Sequence, residues 1–210
     1  MKRLLITLAA LSQGVLASGN MPDFPVNKVT DYASLQTWIH QAPHTTASFS
    51  MERTMPSGRI LKSKGRFEYR LGQGMLWRTE FPVRNAMLIT PEALSVYDAK
   101  GRELRRTDLQ GVPSGRLTGA FTQRMDPSFL KQMERMFDIT CRTDVPNHVL
   151  EVGLKARHES NDLRWMLLVI RKGELSNVYY ESARQGKTSV TFSNVHNGES
   201  VPETPFNLLP

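Results

Sequence analysis

Between Ala47 and Asp98, apolar and polar residues alternate in runs of strand length, broken at Pro56-Ser57-Gly58, Gly72-Gln73-Gly74, Pro82 and Pro91. A period of two is expected of half-buried strands, because successive side chains point to opposite faces. Phe67, Tyr69 and Leu71 share one face, with Arg66, Glu68 and Arg70 on the other. After the turn, Met75, Trp77 and Phe81 oppose Arg78 and Glu80. The pattern predicts strands over 47–55, 59–71, 75–81, 86–90, 94–98 and 103–109. Connections this short favour an antiparallel meander over a parallel sheet.

The period changes around this meander. Before it, 29–41 reads as an amphipathic helix capped by Thr30 or Asp31, with Leu35, Trp38 and Ile39 as its apolar stripe and Pro43 stopping it. After it, 111–115 is loop, and Asp126-Pro127 opens a second helix with Asp as N-cap and Pro at the first position. Phe129, Leu130, Met133, Met136 and Phe137 form one broad stripe along that helix. Alternation then resumes, predicting strands over 139–142, 148–156, 163–171, 175–182 and 187–195, and 202–210 reads as a tail laid over the surface. The fold expected is α+β and mainly β. No repeat, low-complexity tract or linker divides the chain, so residues 18–210 are expected to form one domain.

Residues 1–17 have the three parts of a secretory signal: Lys2 and Arg3, an apolar core from Leu4 to Leu11, and Val15-Leu16-Ala17 as the small-residue cleavage site. Cleavage after Ala17 or after Gly19 fits equally well. Asn20 stands where a lipoprotein signal would carry its modified cysteine, so no lipid anchor is expected. Export places the protein in a compartment that favours disulfides, yet Cys141 is its only cysteine. Stability must therefore come from a hydrophobic core, and Cys141 reads as one of its small apolar members. The net charge of +7 falls to +5 once Lys2 and Arg3 are removed. That excess suits an anionic membrane surface, an acidic protein patch, or simply a solvated basic exterior. Export and the lack of any DNA- or RNA-binding motif argue against nucleic acid.

Candidate catalytic chemistry is thin. His40, His44, His148, His158 and His196 show no metal-ligand spacing, no GxSxG elbow is present, and Cys141 lacks the surroundings of a nucleophile. Gly72-Gln73-Gly74 is a hairpin turn and not a phosphate cradle, since no helix follows it. The reading is of a non-enzyme that uses no cofactor and no metal.

Helix, long meander, short helical insert and second meander, in that order, resemble the LolA family of periplasmic lipoprotein carriers. The residues that carry the likeness are Ala47-Ser48-Phe49-Ser50, Gly65-Arg66-Phe67-Glu68-Tyr69-Arg70 leading to Trp77, Phe81-Pro82, 94–98, and Thr188-Ser189-Val190-Thr191-Phe192-Ser193-Asn194. The resemblance spans the mature chain. It implies a strongly curved antiparallel sheet forming a half-open barrel, with helices covering the open side and acyl chains held in an apolar interior. It further implies a soluble monomer in the periplasm of a Gram-negative cell. Such a monomer would take an acylated lipoprotein or acyl-lipid cargo from an inner-membrane exporter to an outer-membrane acceptor, touching membrane surfaces only transiently. In better-known members an Arg-Pro pair follows the strand equivalent to 67–69, and its arginine helps hold the lid. Arg70 is the nearest match here, but 71–74 reads Leu-Gly-Gln-Gly, so a gating role for Arg70 is an open expectation. The chain ends soon after the last expected strand, so no counterpart for the extra domain of the related envelope-stress sensor is expected.

Together the alternation and the resemblance assign the interior to Phe67, Tyr69, Trp77, Leu88, Leu94, Val96, Trp165 and Leu167, and the lid to Phe129, Leu130, Met133 and Met136. Methionine suits a cavity that repacks as cargo enters and leaves, because its unbranched thioether fills irregular space. The alternative is the same fold used as an envelope interaction or sensor module, its cavity filled by its own side chains.

Overall fold

A computed structural model describes residues 22–29, 42–109, 131, 133–158 and 163–209. Twelve strands lie among them: β1 (Asn27–Lys28), β2 (His44–Thr54), β3 (Ile60–Arg70), β4 (Gly74–Phe81), β5 (Asn85–Ile89), β6 (Ala93–Tyr97), β7 (Glu103–Asp108), β8 (Phe137–Asp144), β9 (Val149–Ala156), β10 (Leu163–Arg171), β11 (Glu174–Ser182) and β12 (Gly186–Gly198). Strands β2 to β12 match the eleven predicted runs within three residues at each end. The two-residue β1 is too short for a periodic signal. All of the predicted helix over 29–41 but Val29, the segment 110–130, the lid residues Phe129 and Leu130 and the expected signal lie outside the described residues. Met133 is helical, but the helix expected to run to Phe137 ends sooner, because Phe137 already opens β8.

All twelve strands belong to one antiparallel sheet in the order β1-β8-β9-β10-β11-β12-β2-β3-β4-β5-β6-β7. Two meanders, β2 to β7 and β8 to β12, are joined where the last strand pairs with the first long one, Phe192 opposite Phe49 and Thr191 opposite Ser50. Among the described residues the sheet does not close, and β1 and β7 stand at its two edges. It does curl. Trp77 on β4 and Phe192 on β12 are separated by β2 and β3, three interstrand steps or about 14 Å if flat. Their ring centroids are nevertheless only 5.7 Å apart.

Register assigns each side chain to the inner or outer face, because directly paired residues share a face. On the β8–β10 flank the inner face is filled by the chain itself: Met133, Phe137, Ile139, Leu150, Val152 and Leu154 form one buried cluster. Toward β2–β6 and β11–β12 the inner face lines open space.

Terminal segments cover the outer face. Phe24 packs edge-on against Trp165, with centroids 6.0 Å apart, over an outer cluster of Val149, Leu167, Val169 and Tyr179. Gly153 permits this approach, since a Cβ there would lie 2.4 Å from the Phe24 ring. At the other side the C-terminal tail crosses β3 and β4. The carbonyl of Thr204 accepts from Arg70 Nη1, that of Asn207 accepts from Arg78 Nη1 at 3.3 Å, and Phe206 lies 4.1 Å from the Arg70 guanidinium. Leu76, Ala86 and Ser95 are buried on this same face. The outer face of a single sheet would otherwise be wet, so their burial requires a cover.

Candidate functional site

The inner face encloses a cavity of about 930 Å³ bordered by residues from β2 to β6 and from β10 to β12. Val96 on β6 and Leu168 on β10 both border it, although seven interstrand steps lie between those strands. Only a strongly curled sheet can bring both to one volume. The volume lies in the range of small-molecule sites.

Four rings form its floor. Phe49 and Trp77 meet edge-on at 5.1 Å, Phe67 lies 4.8 Å from Trp77 and 5.2 Å from Phe192. Each contact is of the tilted or edge type that aromatic quadrupoles prefer. Gly65 sits opposite Phe49 in the β2–β3 register. A Cβ there would lie 1.9 Å from the Arg78 carbonyl oxygen and 3.0 Å from the Phe49 ring, so only glycine lets β4 and that ring come so close. Ala47, Met51, Met87, Leu168, Val178 and Val190 extend the apolar wall.

Polar groups border the cavity at two ends. At one end Thr45 Oγ1 donates to Asn197 Oδ1 at 2.8 Å, and Asn197 Nδ2 donates to Glu174 Oε1 at 2.9 Å. At the other, Arg53 Nε donates to Thr188 Oγ1 at 3.3 Å, with Arg59, Lys62, Tyr180 and Gln185 nearby on the lining. Lys62 pairs with Glu52 at 3.2 Å. Among the described residues, Arg53 and Arg59 have no carboxylate partner. Thr45 and Arg53 are eight residues apart on β2, about 26 Å along a strand. The cavity is thus elongated, apolar through its middle, and cationic at one end.

Of the residues expected inside, Phe67, Tyr69, Trp77 and Val96 border the cavity. Leu94 pairs with Ile89, a lining residue, and shares its face without bordering the volume. Leu88 pairs with Leu76 on the outer face. Trp165 and Leu167 also belong to the outer face, packed beside Phe24; Met166, Leu168 and Ile170 face inward in their place. β10 reads Leu-Arg-Trp-Met-Leu-Leu-Val-Ile-Arg, apolar on both faces because both are covered, so alternation there cannot tell inside from outside. Met133 is 2% exposed within the inner cluster, and Met136 packs against it. Their described contacts are those of core residues on the β8–β10 flank, and neither borders the cavity.

Arg70 is placed on the outer face, away from the cavity. It is 4% exposed and Glu68 7%, with Nη2 at 2.6 Å and Nε at 2.8 Å from Glu68 Oε1. His44 Nε2 lies 3.3 Å from the same oxygen. Arg70 thus points to the face opposite the cavity and fastens the tail, while Phe129 and Leu130 of the expected lid lie outside the described residues. Cys141 packs beside the inner cluster, and burial raises its thiol pKa. Phe49, Met51, Phe192 and Val178 were not assigned to the site from sequence. The alternation of Phe49 and Met51 with Ser48, Ser50 and Glu52 was the signal available for two of them.

No family model matches the chain, and no curated protein matches it. Solved structures similar to it include a DUF1329 family protein from Desulfovibrio piger, with 9% identity, 82% of this chain and 93% of that one covered, and a TM-score of 0.44. A LolA superfamily protein from Nitrosomonas europaea is 8% identical over 84% of this chain and 96% of its own, with a TM-score of 0.42. An outer membrane lipoprotein-sorting protein domain from Vibrio parahaemolyticus is 10% identical over 81% and 92%, also at 0.42. These are distant likenesses.

Proposed function

We propose that this protein is a non-enzymatic carrier that holds the acyl part of a lipid or lipoprotein in the curled sheet. The observation that supports this most is the open cavity itself: an elongated apolar volume with an aromatic floor and cations at one end. An acyl chain gains about 0.8 kcal/mol for each methylene buried, so one chain of ordinary length is worth roughly 10 kcal/mol before ordering costs. Half of a bilayer's ~30 Å hydrocarbon core is about 15 Å, so one acyl layer fits within the length from Thr45 to Arg53. The polar head of such a cargo would sit near Arg53 and Arg59. The open volume favours this reading over a self-filled interaction module. Carriage across a Gram-negative periplasm, between an inner-membrane donor and an outer-membrane acceptor, is part of the proposal and rests on the expected export signal and the family resemblance.

The test is displacement of a fluorescent fatty-acid analogue. The wild-type chain should bind it. Trp77→Ala and Phe192→Ala remove ring area from the floor and should each weaken binding about tenfold, on the order of the stacking and burial lost. Binding that survives both changes unaltered would place the acyl chain elsewhere.

A further inference from the structure

Four of the large apolar side chains exposed among the described residues gather at one edge of the cavity. They are Ile60 (47%), Leu61 (38%), Phe81 (53%) and Val83 (67%). Ile60 and Leu61 open β3, where the strand runs beyond the pairing of β4, whose last partner is Phe81 opposite Lys64. Phe81 ends β4, and residues 82–84 connect it to β5. Ile60, Leu61, Pro82 and Val83 all border the cavity, so the two segments frame the same opening.

Cations alternate with these apolar side chains. Arg59 and Lys62 flank Ile60 and Leu61, Arg84 follows Val83, and Lys64 Nζ stands 6.0 Å from the centre of the Phe81 ring. Arg59, Lys64 and Arg84 are exposed, with no carboxylate partner among the described residues. The nearby carboxylates of Glu52 and Glu80 are already paired, with Lys62 and Arg66. Exposed apolar side chains in water cost free energy, and a contiguous group of them marks a contact surface. A protein partner of ordinary composition would meet the apolar residues but leave the surrounding cations without counter-charge. An anionic lipid surface satisfies both at once: headgroup phosphates meet the cations while the apolar tips enter the acyl boundary.

We infer that the rim formed by Ile60, Leu61 and residues 81–84 docks on an anionic bilayer surface, with the cavity opening turned toward the lipid. This role goes beyond cargo carriage and does not depend on it, since the rim's chemistry stands whether or not the cavity is filled.

The experiment is co-sedimentation of the mature chain with vesicles of phosphatidylcholine alone and of phosphatidylcholine mixed with phosphatidylglycerol. Variants are chosen from rim residues that do not border the cavity: Phe81→Asp, Lys64→Gln and Arg84→Gln. Binding is expected only to the anionic vesicles and should fall with added salt. Each neutralised cation should weaken it about fivefold, and Phe81→Asp should weaken it more. Fatty-acid-probe binding should stay at the wild-type level in all three, which separates a failure of docking from a failure of the carrier reading. Equal binding to both vesicle types, no binding to either, or wild-type binding by Phe81→Asp and Arg84→Gln together would overturn the inference.

Discussion

Arg70 shows how far a single side chain's role depends on which face it occupies. Its guanidinium is buried against Glu68 and capped by the Phe206 ring. A buried pair broken from one side leaves an uncompensated charge and costs about 3–5 kcal/mol. Arg70→Ala should therefore lower the urea midpoint by an amount equivalent to about 3 kcal/mol while leaving probe affinity within about twofold of wild type. A variant of unchanged stability that loses the probe would instead assign Arg70 the gating role. Met133 carries the same lesson. A charged residue in its place would be expected to unfold the β8–β10 flank and not merely to empty the cavity, because Met133 lies inside the cluster that holds that flank together. Met133→Ala should cost about 2–5 kcal/mol.

At the scale of elements, the strands were legible because most of them are covered on one face only. In β2, Ser48 and Ser50 alternate with Ala47, Phe49 and Met51, and the polar set faces outward without a cover that would demand apolar residues. Legibility failed where something else packs on the outside. Trp165, Leu167 and Val169 are apolar because the segment bearing Phe24 lies over them, and no local pattern announces a cover contributed from more than a hundred residues away. Leu88 and its outward-facing partner Leu76 are likewise apolar on the outer face. Of the eight residues that alternation and resemblance together assigned to the interior, Phe67, Tyr69, Trp77 and Val96 border the cavity, while Leu88, Trp165 and Leu167 lie on strands apolar on both faces. The C-terminal tail is a cover of this kind. Removing residues 201–210 strips Arg70 of its ring and carbonyl partners and Arg78 of a carbonyl acceptor. A loss of about 2–3 kcal/mol, or roughly 5–10 °C in Tm for a domain this size, is the expected result. Faster amide exchange should appear in β3 to β6. Unchanged melting would mean that the tail only rests on the sheet.

For the whole molecule, one twelve-stranded sheet performs two tasks by treating its inner face unequally. The flank from β8 to β10 fills that face with its own side chains and provides the stability that a chain with a single cysteine must find in packing. The half around β2 to β6 leaves it open. Curling follows from twist carried through many strands, and residues that permit close approach, such as Gly65, let β2, β3 and β4 bring their rings together. A carrier needs such a division, since a uniformly packed interior has no room for cargo and a uniformly open one has no core. Exposed apolar and cationic residues at the opening then give the cavity a direction in which to face.

The central claim is that the cavity holds an acyl-bearing molecule, and native mass spectrometry of protein exported to the periplasm and purified without detergent tests it most directly. The account predicts a discrete added mass on the mature chain that extraction resolves into an acyl-bearing lipid or lipoprotein, and that Trp77→Ala diminishes. A bare mass, unchanged after incubation with fatty acids, phospholipids and acylated peptides, would contradict it.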